Sequence, residues 1–111
     1  MNRSRECERL LDPKYRVTYY DPRLNVHNTL AHELAKCKLV YFLKKAGKKV
    51  VAEAIFKNGG RADILVLDDF RVFEVLKSEK EKEALIKTAK YPSELDIVYI
   101  RPEEVEGYVG D

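Results

Sequence analysis

The apolar positions of the first half of the chain recur with a helical period. From Leu30 to Tyr41 they repeat every three or four residues, which predicts an amphipathic helix. Asn28 is a good N-cap, and Gly47 follows the last periodic position as a stop. We therefore expect a helix over about 28–46.

Three runs with strand composition come next, at 50–56, 61–67 and 70–76. The first two are separated by Lys57-Asn58-Gly59-Gly60, a strong hairpin signal, and the last two by Asp68-Asp69. These short connections predict an antiparallel meander.

A second helix and a last strand complete the pattern. The segment 78–81 reads as a capping box, and the helix is expected to run to about Lys90, before Tyr91-Pro92. Five of the six residues in 95–100 are apolar, which is typical of a buried strand in a parallel position. The prediction is an α/β fold of order α-β-β-β-α-β, with a mixed central sheet flanked by helices.

The segments on either side of this core, 28–100, are less regular. Residues 1–27 are interpreted as an N-terminal extension, with a short helix near 5–11 and an extended stretch over 15–20. The C-terminal tail, 101–111, is acidic and polar and is expected to end in a frayed turn.

Composition narrows the class of protein. With 111 residues and 45% apolar content the chain supports one core, and it lacks the apolar run of roughly 20 residues that spans a bilayer. No signal peptide is apparent, so a cytoplasmic protein is expected.

Cys7 and Cys37 are isolated, which favours reduced structural cysteines, with Cys37 in the core. Abundant Lys and Glu without any Gln is typical of thermophile proteins.

Charge is unevenly distributed along the chain. Residues 28–61 hold eight Lys/Arg against Glu33 and Glu53, whereas residues 62–111 hold seven Lys/Arg against thirteen Asp/Glu. Such a split is compatible with a basic surface for phosphate backbones beside an acidic metal site, or simply with a solvated surface. The candidate nucleic-acid-binding residues are Lys36, Lys44, Lys45, Lys57 and Arg61.

Two acids interrupt the apolar strands. Asp63 and Glu74 are eleven residues apart, on strands that a hairpin would pair. An ionised carboxylate in such a position costs several kcal/mol unless it is paired, and a divalent cation offers that pairing. By strict alternation both acids would lie on one side of the sheet, Asp63 with Leu65 and Glu74 with Val72. Oxygen ligands of this kind bind Mg²⁺ or Mn²⁺.

The element order and the Asp63…Glu74 spacing resemble the PD-(D/E)XK nuclease superfamily, over about residues 28–100. The resemblance implies a restriction-endonuclease-like core in which Asp63 and Glu74 bind the metal and Glu33, on the first helix, completes the site. Small archaeal and viral nucleases and resolvases belong to this superfamily, and the resolvases imply a possible homodimer.

The sequence departs from the family at the catalytic lysine. Leu76 stands where the lysine is expected, and Lys77 follows one residue later, on the opposite face by strict alternation. A β-bulge would re-aim Lys77, or Lys36 or Lys80 would reach in from a helix. Without any of these, metal binding would persist and catalysis would not.

Other interpretations of single residues stay open. Asp63 could be a hairpin acid paired with Arg61 or Arg71, Glu33 could face solvent, and Glu53 could be an additional metal ligand. His32, beside Glu33, could contact a phosphate or pack in the cap region.

Three functions follow from these residues. The leading hypothesis is a metal-dependent endonuclease that hydrolyses DNA phosphodiester bonds, with Asp63, Glu74, Glu33 and Lys77 as catalytic candidates. The alternatives are a catalytically inactive nuclease-fold module that binds nucleic acid or a protein, and a structural or partner-binding protein.

Overall fold

The computed structural model of the protein describes residues 3–13, 26–76 and 81–109. Within these ranges the α-helices are α1 (Arg3–Glu8), α2 (Leu30–Lys45), α3 (Glu81–Thr88) and α4 (Val105–Val109). The strands are β1 (Val50–Ile55), β2 (Arg61–Val66), β3 (Arg71–Val75) and β4 (Asp96–Ile100). The α/β class with a mixed sheet is confirmed.

The four strands form one sheet in the order β1-β2-β3-β4. β1 pairs with β2 and β2 pairs with β3 in antiparallel fashion, as the short connections predicted. β4 lies parallel to β3, with Val72 opposite Ile97 and Val75 opposite Ile100. A parallel neighbour requires a crossover, and α3 lies in that connection.

Each face of the sheet carries its own hydrophobic cluster. Ile64, Phe73 and their neighbours pack with Leu39 of α2 on one face. The other face packs Leu65 against residues from outside the 28–100 segment, among them Cys7 of α1. Burial of these apolar side chains fixes the sheet between the helices.

The C-terminal tail continues in helical turns to Val109, and its last two residues, 110–111, where the frayed end is expected, lie outside the described residues. Residues Pro102–Glu104 form a 3₁₀ turn that leads into α4, and Val105 is completely buried in the α2 cluster. One apolar residue therefore anchors an otherwise polar segment, because its burial compensates for ordering the chain.

Two other local expectations are corrected. The N-cap of α2 is Thr29, whose hydroxyl accepts from the His32 N–H at 3.2 Å, while the Asn28 amide donates to Glu33 instead. Cys37 is only partly buried, whereas Cys7 is fully buried, and burial raises the pKa of its thiol to about 12. Among the described residues, no helix has the length and apolar character needed to cross a membrane.

Candidate active site

Asp63 and Glu74 lie together where the pairing of β2 with β3 ends. The backbone pairing of β2 with β3 runs from Val66↔Arg71 to Ile64↔Phe73. Beyond the last pair, side-chain carboxylates replace backbone carbonyls as the acceptors of hydrogen bonds between the strands. The Asp63 N–H donates to Glu74 Oε2 at 2.9 Å, and the Val75 N–H donates to Asp63 Oδ2 at 2.9 Å. Both carboxylates are buried, so these reciprocal bonds hold two acids at a fixed position where the strands separate.

The expected shared face of the two acids is wrong at Asp63. Ala62 and Leu65 belong to the same hydrophobic cluster although they are an odd number of positions apart, with two residues between them, so the alternation of β2 is broken there. The Asp63 carboxylate consequently reaches α2, where His32 Nε2 lies 3.5 Å from its Oδ2. Glu74 instead reaches α3, where its Oε1 accepts from Lys87 Nζ at 3.0 Å.

The regular strand conformation of β1 is also interrupted, at the position opposite Asp63. The register places Glu53 opposite Asp63, between the pairs Ala52↔Ile64 and Ala54↔Ala62. Glu53 has a φ of 51°, a left-handed conformation that costs an L-residue roughly 1–2 kcal/mol. This conformation directs the Glu53 carboxylate to α2, and its pairing there offsets the cost.

Lys36 is the partner that Glu53 reaches. Its ammonium donates to Glu33 Oε1 at 3.0 Å and to Glu53 Oε2 at 2.9 Å, and only 1% of the residue is exposed. Burial opposes the charge on Lys36, but the bonds to the two carboxylates outweigh it and raise its pKa above the ordinary value. A charged lysine thus lies inside the protein, between two acids.

His32 connects this ion-pair group to Asp63. Its Nδ1 lies 2.9 Å from Glu33 Oε2, which also accepts from Asn28. Burial of the ring disfavours protonation, but the bonds to Asp63 and Glu33 outweigh it, and the pKa of His32 is raised. When protonated, the ring can donate to a carboxylate on each side.

The charge of Glu74 is compensated only in part. Burial raises its pKa, the nearby Asp63 charge raises it further, and Lys87 and the Asp63 N–H oppose the shift without cancelling it. Lys87 compensates incompletely because half of its side chain is exposed to water.

The charges of the cluster nearly balance. Four buried carboxylates, Glu33, Glu53, Asp63 and Glu74, contribute −4, and their partners Lys36, Lys87 and Arg61 contribute +3, which leaves −1, or 0 with an imidazolium at His32. Within the described ranges, no three His, Cys, Asp or Glu side chains are grouped so that they could hold a metal. Mg²⁺ commonly uses only one or two carboxylates and completes its shell with water and phosphate, so a site built on Asp63 and Glu74 would need no third acidic ligand.

The predicted lysine falls outside this description. Lys77 and Lys80 are among the residues that the structure does not describe, while the Leu76 side chain is buried. Lys87 is the lysine found at Glu74, and no motif in the sequence indicated it because thirteen residues separate the two. Arg71 pairs with Asp96, and Arg61 lies 4.0 Å from Glu53, so Asp63 contacts His32 rather than either arginine.

The five predicted nucleic-acid-binding residues do not form one surface. Lys36 is interior. Lys44 and Lys45 lie at the C-terminal end of α2, near the start of β1, while Lys57 and Arg61 flank the β1–β2 turn at the other end. The six residues of β1 separate the two pairs by roughly 20 Å.

Comparison with known proteins adds no assignment. No protein-family model, curated protein or solved structure matches the chain with significant similarity. Function is therefore argued from the geometry of the described residues.

Proposed function

We propose that the protein is a metal-dependent endonuclease that hydrolyses DNA phosphodiester bonds, of the PD-(D/E)XK type. The observation that carries this proposal is the buried Asp63–Glu74 pair, held by reciprocal backbone hydrogen bonds where β2 and β3 separate. A purely structural sheet has no need for two buried acids at this point, because backbone carbonyls would accept the same bonds without the desolvation cost.

The order of elements supports the same proposal. α2 precedes three antiparallel strands, and α3 precedes a strand that lies parallel to the third. This order resembles that of the restriction-endonuclease-like core.

In the proposed mechanism Asp63 and Glu74 would hold Mg²⁺ or Mn²⁺. Such an ion, when bound, would supply Lewis-acid activation of a water for displacement of the ester oxygen at phosphorus and would neutralise the developing charge. His32 holds the Asp63 carboxylate in place through Nε2. Lys36 holds Glu33 and Glu53, so that Glu33 in turn fixes the imidazole.

Lys87 takes the role of the family's catalytic lysine, whose position in the sequence is occupied by Leu76. Its ammonium lies 3.0 Å from Glu74 Oε1 and is half exposed, so it can reach a water or a phosphate oxygen beside the carboxylates. A positive charge at that place stabilises the developing negative charge on the phosphate.

The proposal is tested by cleavage of labelled duplex, junction and single-stranded DNA with Mg²⁺ or Mn²⁺, wild type beside Asp63→Asn. The asparagine retains an oxygen for the Val75 N–H, so the fold is expected to persist. We expect metal-dependent cleavage to fall by about 10³-fold or more, since a metal provides several kcal/mol of transition-state stabilisation. The ion should also raise the melting temperature of the wild type only. Full cleavage by Asp63→Asn would refute the assignment.

Replacement of Lys87 tests the role of that residue. We expect Lys87→Met to lower the cleavage rate by about 10²-fold or more while DNA binding changes little, as for the loss of one preorganised charge. The matched control is Lys87→Arg, which keeps the charge and should keep most of the rate. A Lys87→Met protein that cleaves like the wild type would contradict the role.

The second function is an inactive nuclease-fold module that binds nucleic acid. It is favoured by the buried Leu76 at the position of the lysine and by the pairing of Glu74 with Lys87, which competes with a metal ion. Salt-sensitive DNA binding without cleavage under either metal would select this function over the nuclease.

A further inference from the structure

The β1–β2 turn is attached to the end of α3. The Asn58 side-chain amide donates to the Lys90 carbonyl, and the Tyr91 hydroxyl donates to the Arg61 carbonyl. Tyr91 also packs against Phe56, with ring centroids 5.1 Å apart. These contacts bring Lys57 and Lys90, which are far apart in sequence, to the same edge of the molecule.

This edge borders the buried carboxylates. Arg61 Nη1 lies 4.0 Å from Glu53 Oε1, and its side chain is 56% exposed. Lys87, one helical turn before Tyr91, contacts Glu74. Basic groups therefore flank the acidic cluster, from the turn on one side to α3 on the other.

The two basic ends of the molecule differ in how they are compensated. At the C-terminal end of α2, the acids Asp68 and Asp69 lie among the lysines: Lys48 pairs with Asp69 at 3.0 Å, and Asp68 accepts from the backbone N–H of Lys49. At the turn, Lys57 and Lys90 are exposed, and neither forms an ion pair within the part of the chain that the structure describes. An uncompensated charge attracts a polyanion more strongly than one already paired with a carboxylate.

We infer that Lys57, Arg61 and Lys90 form the surface that holds the DNA phosphate backbone beside the site, and that Lys44 and Lys45 do not. The inference rests on the proposed function and adds the direction from which the substrate approaches. Phosphates bound at the turn and at the end of α3 would place a phosphodiester across Asp63 and Glu74. Contacts of this kind position a backbone without reading its sequence.

The test compares two double variants with the same loss of charge, Lys57→Gln/Lys90→Gln and Lys44→Gln/Lys45→Gln. Binding of fluorescent 20-mer duplex DNA is measured by anisotropy, in EDTA, over a series of NaCl concentrations. For the first variant we expect the slope of log affinity against log salt to fall by about 1.8, at roughly 0.9 per lost phosphate contact, and affinity at 50 mM salt to drop at least about tenfold. The second variant should bind like the wild type. The single variants Lys57→Gln and Lys90→Gln should each give about half the slope change.

The outcomes separate this inference from the proposed function. Equal weakening in both double variants, or a larger effect of the α2 pair, would overturn the surface, and so would a wild type that binds no DNA at low salt. A selective effect of Lys57→Gln/Lys90→Gln in a protein that never cleaves would support the surface and remove the nuclease. Cleavage that depends on Asp63, together with equal binding by both variants, would support the nuclease and overturn the proposed surface.

Discussion

Replacing Glu74 with glutamine is expected to abolish cleavage and at the same time to stabilise the folded protein at neutral pH. The glutamine oxygen can still accept from the Asp63 N–H, so the strand contact is retained. The variant loses a charge that is buried next to another carboxylate. Cleavage should fall by about 10³-fold or more, as for Asp63→Asn, because a metal ligand is lost.

The pH dependence follows from the direction of the pKa shift. The pKa of Glu74 is raised in the folded state, by burial first and by Asp63 second, so the folded protein holds this proton more tightly than the unfolded chain. The stability that this tightly held proton contributes is fully present below the pKa of Glu74 in the unfolded chain. It is lost as the pH rises through the pKa of Glu74 in the folded protein. Glu74→Gln resembles the protonated form at every pH, and its advantage over the wild type should therefore appear only as the pH rises.

Thermal unfolding in EDTA, between pH 4 and pH 8, measures this difference. The melting temperature of Glu74→Gln should exceed that of the wild type at pH 8, and the gap should close towards pH 4. Adding Mn²⁺ should raise the melting temperature of the wild type and leave the variant unchanged. A variant that is less stable at pH 8 would show that the Lys87 pair outweighs the cost of burying the charge.

The second large effect is expected at Lys36. Lys36→Met removes the only cation that bridges Glu33 and Glu53 in the described structure, and so breaks one buried ion pair of each carboxylate. Breaking a buried pair by removing one partner typically costs about 3–5 kcal/mol. This is a large share of the roughly 5–15 kcal/mol that stabilises a domain.

Lys38→Met is the matched control on the same helix. Lys38 pairs with Glu106 at 2.6 Å, but both side chains are largely exposed, and exposed pairs contribute little. Urea unfolding followed by circular dichroism should show a large loss for Lys36→Met and a small one for Lys38→Met. Lys36→Met/Glu53→Gln should recover part of the loss, since it removes one uncompensated charge. Equal stability of the two lysine variants would contradict a charged, bridging Lys36.

Local patterns predicted the elements and the residues from which the site is built. The helical period from Leu30 to Tyr41, the turn at Lys57–Gly60 and the acids in apolar strands each depend on a few neighbouring residues. Proximity of Asp63 and Glu74 followed from the same short-range reasoning, because a tight connection between two strands makes them neighbours.

Side-chain direction could not be predicted in this way. Strict alternation placed Asp63 with Leu65, whereas the alternation is broken between Ala62 and Ile64, and the Asp63 carboxylate reaches His32 on α2. The break lies opposite Glu53, whose left-handed conformation is accompanied by a bond to the distant Lys36.

The sequence by itself determined the α/β class, the strands and two acids that had to be paired. The tertiary structure alone decided that Lys36 is buried between two acids, that Lys87 of α3 contacts Glu74, and that Val105 anchors the tail. The physical reason is range. Periodicity and turn chemistry act over a few residues, but a buried charge is stabilised by whatever partner the fold brings within about 4 Å, at any distance along the chain.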